Sequence, residues 1–83
     1  MKFAGTDKQI EILACISDAG ADGIEFHAMK AALTYGAGVS NQAIQSSIRY
    51  LEKHGLVERQ YRKPRKLFLL LTSTGEKELN YLR

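Results

Sequence analysis

The chain has one cysteine, one proline and no apolar run approaching the ~18 residues that cross a membrane. A single thiol, Cys15, closes no internal disulfide, which fits a reducing compartment. It lies in the apolar run "IEILACI", so a buried, inert thiol is expected rather than a nucleophile. The opening "MKFAGTDKQI" holds no apolar stretch of signal-peptide length, so a cytoplasmic protein without a membrane partner is expected. Catalytic patterns are missing too: no Ser-His-Asp set, phosphate loop or dinucleotide fingerprint occurs. His27 and His54 have no Cys, Asp or Glu at ligand spacing, so no metal or other cofactor is expected. Asp18, Asp22 and Glu25 cluster around a turn and read as solvated loop charge. No enzyme is expected.

What is present is a small core and an uneven charge. With 83 residues the chain makes one domain and buries only about 60–65% of its unfolded surface. The net charge of +3 is modest, but it is concentrated. From Arg49 to Lys66 seven basic residues stand against Glu52 and Glu58, a local +5; the five basic and seven acidic residues elsewhere give −2. A basic stretch on a slightly acidic body is the electrostatic footprint of a polyanion binder. The densest part, Tyr61 to Lys66, reads "YRKPRK" and holds Arg62, Lys63, Arg65 and Lys66 around Pro64. A solvated turn and a localisation tract are the alternatives to a finger that touches phosphate.

Periodicity divides the chain into helices and a hairpin. Thr6 or Asp7 caps a helix over about 7–19, with Ile10, Leu13, Ala14 and Ile16 apolar, and "GADG" ends it. "GIEF" gives a short extended piece around Ile24. Phe26, Met29, Ala32 and Leu33 place a second helix at about 26–34. A third, over about 40–54, starts at Ser40 or Asn41 and closes at His54-Gly55, with Ala43 or Ile44, Ile48 and Leu51 on one stripe. The period then changes: "LVERQY" and "KLFLLLT" pair as an antiparallel hairpin, a wing over about 56–72, with Pro64 at its tip. A short C-terminal helix over about 73–82 follows, carrying Leu79 and Leu82. This order is an α+β winged helix-turn-helix: a three-helix core, a β-hairpin wing and a short C-terminal helix.

Two stretches carry a family resemblance as well. Leu51-Glu52-Lys53, then Gly55-Leu56-Val57-Glu58-Arg59, and later Leu71-Thr72 with Gly75, resemble winged helix-turn-helix regulators of the MarR and PadR type. The likeness covers about residues 7–82. It implies double-stranded DNA contacts from the third helix and the wing, and a transcriptional regulator, here taken as a repressor. Winged helices also serve replication or partition proteins and protein-interaction modules, which stand as alternatives.

The candidate DNA-binding residues follow. On the third helix, Ser40, Asn41, Gln42, Gln45, Ser46, Arg49 and Lys53 form a polar face; Asn and Gln pair with adenine and Arg with guanine in the major groove. Ser40, at the helix N-terminus, also suits simple capping. On the wing, Arg62, Lys63, Arg65 and Lys66 are expected to neutralise phosphates or enter a narrowed minor groove. Tyr61 is expected to pack beside the wing, with a hydrogen bond to phosphate as the alternative. A homodimer is expected, because two half-sites one helical turn apart roughly double the binding energy of a single module. Its candidate interface is the segment with Leu79, Tyr81 and Leu82, joined by helix 1; core packing of these residues is the alternative.

Overall fold

A computed structural model describes residues 6–62 and 65–82. Four α-helices pack with a three-stranded antiparallel sheet: α1 (Asp7–Asp18), β1 (Ile24–Glu25), α2 (Phe26–Ala32), α3 (Asn41–Lys53), β2 (Val57–Arg62), β3 (Lys66–Leu71) and α4 (Ser73–Leu82). A 3-10 turn at Gly36–Gly38 joins α2 to α3.

Each helix starts on a side-chain cap that satisfies amides with no partner inside the helix. Thr6 and Gln9 form a reciprocal capping box at α1: Thr6 Oγ1 accepts from the Gln9 amide at 3.2 Å, and Gln9 Oε1 accepts from the Thr6 amide at 3.1 Å. Ser40 Oγ caps α3 by accepting from the Ala43 amide at 3.1 Å, which makes Ser40 rather than Asn41 the N-cap. Glu25 caps α2, its carboxylate accepting from the amides of His27 and Ala28. It is therefore a structural cap and not merely loop charge.

The two stretches that carried the resemblance have a mechanical meaning. α3 ends in a Schellman motif: the Gly55 amide donates to the Glu52 carbonyl at 2.9 Å and the Leu56 amide to the Leu51 carbonyl at 3.0 Å. Gly55 takes φ 74°, a left-handed conformation that costs other residues free energy. Leu51 and Leu56, the two residues such a motif brings together, are both buried. Opposite them, Thr72 Oγ1 donates to the Gly55 carbonyl at 2.6 Å and accepts from the Gly75 amide at 2.9 Å, while the Thr72 amide donates to the Leu56 carbonyl. Gly75 admits this approach, because a Cβ there would overlap the Leu56 carbonyl oxygen.

The core gathers Ile12, Leu13 and Ile16 from α1, Met29 from α2, Ile44, Ile48 and Leu51 from α3, with Leu56, Leu69 and Leu79. Each fully buried aliphatic side chain contributes roughly 1.5–3 kcal/mol. β3 is the central strand, pairing β2 from Val57↔Leu71 to Arg62↔Lys66 and β1 at Ile24↔Leu69.

Several expectations change. The second helix stops at Ala32, where Leu33 turns extended as its C-cap. Ala43 is exposed, so Ile44 alone begins the buried stripe of α3. Cys15 is half-buried with its Sγ 4.0 Å from the Met29 carbonyl oxygen; burial, then the Asp18 and Glu11 carboxylates, push its pKa above the ordinary thiol value. That keeps it protonated and unreactive. Leu79 belongs to the core, whereas Tyr81 in the same helix is exposed. Pro64, expected at the wing tip, and the side chain of Leu82 lie outside the described residues.

Candidate nucleic-acid interface

α3 crosses the front of the molecule with its apolar stripe turned inward, so its other side chains are presented outward. Asn41, Gln42, Ser46, Arg49 and Lys53 are exposed and Gln45 is half-buried. Not all are equally available. Ser40 Oγ holds the helix cap, and Ser46 Oγ donates back to the Gln42 carbonyl at 3.0 Å, a bond within its own helix.

The turn that sets the position of α3 is tied to α1 across 23 residues. Glu11 accepts from the Thr34 amide at 2.6 Å and from the Thr34 hydroxyl at 2.8 Å. The Tyr35 hydroxyl donates to the Lys8 carbonyl at 3.2 Å, and Lys8 Nζ sits 5.4 Å from the Tyr35 ring centroid. The side chains of Glu11, Thr34, Tyr35 and Lys8 thus tie the start of this glycine-rich turn to α1.

The wing brings its cations to the same side. Asn41 and Gln45 of α3 line one groove with Tyr61, Arg65 and Lys66 of the wing, and Glu25 with His27 closes its far wall. The groove encloses about 430 Å³. Arg49 and Lys53 lie farther along α3, roughly 12 and 18 Å from Asn41 at 1.5 Å per residue, outside this groove. Tyr61 is 73% exposed and lines this groove rather than being packed away beside the wing. It stands on the part of β2 beyond the buried Val57 end of the strand.

The basic residues divide into two groups. Arg59 Nε lies 3.1 Å from Glu52 Oε1, an ion pair without the alignment of a hydrogen bond. Arg62 is held down: its guanidinium lies 4.1 Å from the Phe68 ring centroid, its Nε donates to Gln60 Oε1 at 2.7 Å, and a terminal nitrogen donates to the Asp22 carbonyl at 3.0 Å. It acts as a strut from the wing to the loop before β1. Arg49, Lys53, Arg65 and Lys66 have no ion-pair or side-chain hydrogen-bond partner among the described residues. Lys63 lies outside the described residues.

Three residues of this region escaped the sequence reading. His27 Nδ1 lies 2.9 Å from Glu25 Oε2, and its ring meets Phe26 edge-on at 5.3 Å. The His27 amide bond is the largest cause that lowers the Glu25 pKa, aided by the His27 ring and the Ala28 amide, so the cap carboxylate stays ionised. Lys30 Nζ donates to Asn41 Oδ1 at 2.6 Å. Only the acidic residue before α2 left a trace in the sequence, as an acceptor at a helix start. Among the described residues no three His, Cys, Asp or Glu side chains converge as metal ligands, and no helix is long and apolar enough to cross a membrane.

No family model matches the chain, and no curated protein matches its sequence. Solved structures do resemble it. AbsC, a MarR family transcriptional regulator from Streptomyces coelicolor, superposes with a TM-score of 0.81 at 22% identity, over 94% of this chain and 51% of that one. A MarR family transcriptional regulator from Rhodococcus sp. RHA1 gives 0.80 at 19% identity, over 93% and 51%. MepR, a transcription regulator of the Staphylococcus aureus multidrug efflux pump MepA, gives 0.78 at 22%, over 92% and 53%. The chain therefore spans about half the length of the structures it matches, and the likeness establishes its fold: an α+β winged helix-turn-helix of the MarR-like form.

Proposed function

We propose that this protein is a double-stranded DNA-binding transcriptional regulator, a repressor that reads the major groove with α3 and the flanking backbone or minor groove with its wing. The observation that supports this most is the shared groove, in which Asn41 and Gln45 of α3 face Arg65 and Lys66 of the wing. Helix and wing residues on one concave face can touch one duplex together, and cations without partners among the described residues are available to phosphate. The structural relatives are transcriptional regulators by name, which agrees with the reading.

The roles divide by position. Asn41, Gln42 and Gln45 stand at the N-terminal end of α3, the part of a recognition helix that reaches base edges. Arg49 and Lys53 extend the contact along the strand as phosphate or guanine ligands, and Ser46 and Ser40 adjoin it. Arg65, Lys66 and Lys63 of the wing neutralise flanking phosphates. Arg62 contributes by bracing the wing. Binding as a cytoplasmic homodimer doubles the footprint across two half-sites about one helical turn apart.

Fluorescence-anisotropy titration of duplex DNA at two salt concentrations tests this, with wild type and a Lys63→Ala, Arg65→Ala, Lys66→Ala variant. The expected result is binding that weakens with salt and whose salt slope falls by roughly one unit per neutralised phosphate contact in the variant. No binding by the wild type at low salt would turn the search to protein partners.

A further inference from the structure

Lys30 reaches from the last turn of α2 to the first residue of α3, donating to Asn41 Oδ1 at 2.6 Å. That bond fixes the orientation of the amide. An ammonium has three donors and no acceptor, so only the oxygen side of Asn41 can face it. Nδ2 is turned the other way, and its two N–H groups remain to meet a ligand. Asn41 lines the groove beneath the wing and opens α3, where a recognition helix touches base edges.

An unrestrained asparagine pairs with adenine by donating to N7 and accepting from the N6 amino group. Here the oxygen is turned toward a cation that lies outside the groove, so Asn41 presents its two Nδ2 donors to a base. Guanine offers two adjacent acceptors in the major groove, N7 and O6, and suits such a pair. Adenine would set its own N6 donor against the Nδ2 donors of Asn41. We infer that Lys30 is a positioning residue for base recognition, which by holding the oxygen of Asn41 converts an adenine-type reader into one that prefers guanine. This rests on the DNA-binding reading above.

The test selects duplexes from a random pool with wild type, Lys30→Met, Lys30→Arg and Asn41→Ala. Each protein is then titrated by anisotropy against the selected duplex with G·C exchanged for A·T at every position. The expected result is one position at which wild type and Lys30→Arg prefer guanine by about tenfold, the scale of a bidentate contact. Asn41→Ala loses discrimination at that position, and Lys30→Met shifts it toward adenine with an unchanged melting temperature. A Lys30→Met protein with the wild-type preference overturns the inference; a uniform loss of affinity in that case marks Lys30 as a phosphate contact. If Lys30→Met does not fold, the wild type still decides, because a preference for adenine at the position sensitive to Asn41→Ala overturns the inference alone. Absence of any duplex binding by the wild type sinks the DNA reading itself, a distinct outcome.

Discussion

The wing is held very differently at its two ends. At its base, Gly55, Leu56, Thr72 and Gly75 form a closed set of short hydrogen bonds around the buried side chains of Leu56, Val57 and Leu69. At its far end Tyr61 is 73% exposed, and Arg65 sits at φ 70° although it is not a glycine. Every residue that carried the family resemblance lies at or beside the base. None lies at the tip. The resemblance therefore spoke for the fold, because the base is what any protein with this topology must solve. Base and tip answer to different demands, and substitutions at the two should differ in sign as well as size.

The largest effect belongs to Gly75→Ala. The added Cβ would overlap the Leu56 carbonyl oxygen, which is main chain and cannot swing aside, so α4 must shift off the sheet. A loss of about 3 kcal/mol is expected, the upper range of overpacking, read as a lowered denaturation midpoint in urea. A change under about 0.5 kcal/mol would mean that the base yields as easily as a surface turn. Thr72→Val comes next. It keeps the shape but removes a hydroxyl that serves both the Gly55 carbonyl and the Gly75 amide. About 1–2 kcal/mol should be lost.

The same contrast explains what was legible in the sequence. Helix caps, the Gly55 terminus and the switch from helical to strand period are local signals, and they located α1, α3 and the hairpin. Contacts between distant residues leave no such signal. Glu11 with Thr34, Lys30 with Asn41 and Arg62 with Asp22 are separated by 23, 11 and 40 positions, and each joins residues that periodicity treats separately. The exposure of Tyr61 has another cause. Its place in the strand alternation is that of Val57, but the hairpin outruns the core before reaching it, and alternation says nothing of where a core ends. Arg62 was grouped with its neighbours by charge, whereas its planar guanidinium stacks on Phe68.

Arg62 also marks the boundary between the two regimes. Arg62→Ala removes the strut to Asp22 and the stacking on Phe68, and should cost about 1 kcal/mol of stability. Arg62→Lys should recover little of it, because an ammonium neither stacks as a plane nor spans Gln60 and Asp22 together. Equal stability of the lysine variant and wild type would reduce Arg62 to one more surface cation.

Arg65→Gly has the smallest effect on stability and the opposite sign. Three residues connect Arg62 to its strand partner Lys66, and in loops of that length the last position favours the left-handed conformation that glycine adopts freely. Arg65 adopts it at φ 70°, a conformation that costs a side-chain-bearing residue roughly 1 kcal/mol. Glycine relieves that strain but adds freedom to the unfolded chain, so the net gain should be about 0.5 kcal/mol. A fold selected for stability alone would have glycine there. If the proposed DNA contact holds, the arginine at this glycine-favouring position serves phosphate rather than the fold. Arg65→Gly should therefore raise the melting temperature while lowering the salt slope of DNA binding by about one unit. If the variant is stabilised and binds DNA with an unchanged slope, the arginine is idle and the tip is a solvated turn. If it is destabilised, the side chain supports the fold, and the contrast between base and tip fails at the residue chosen to represent it.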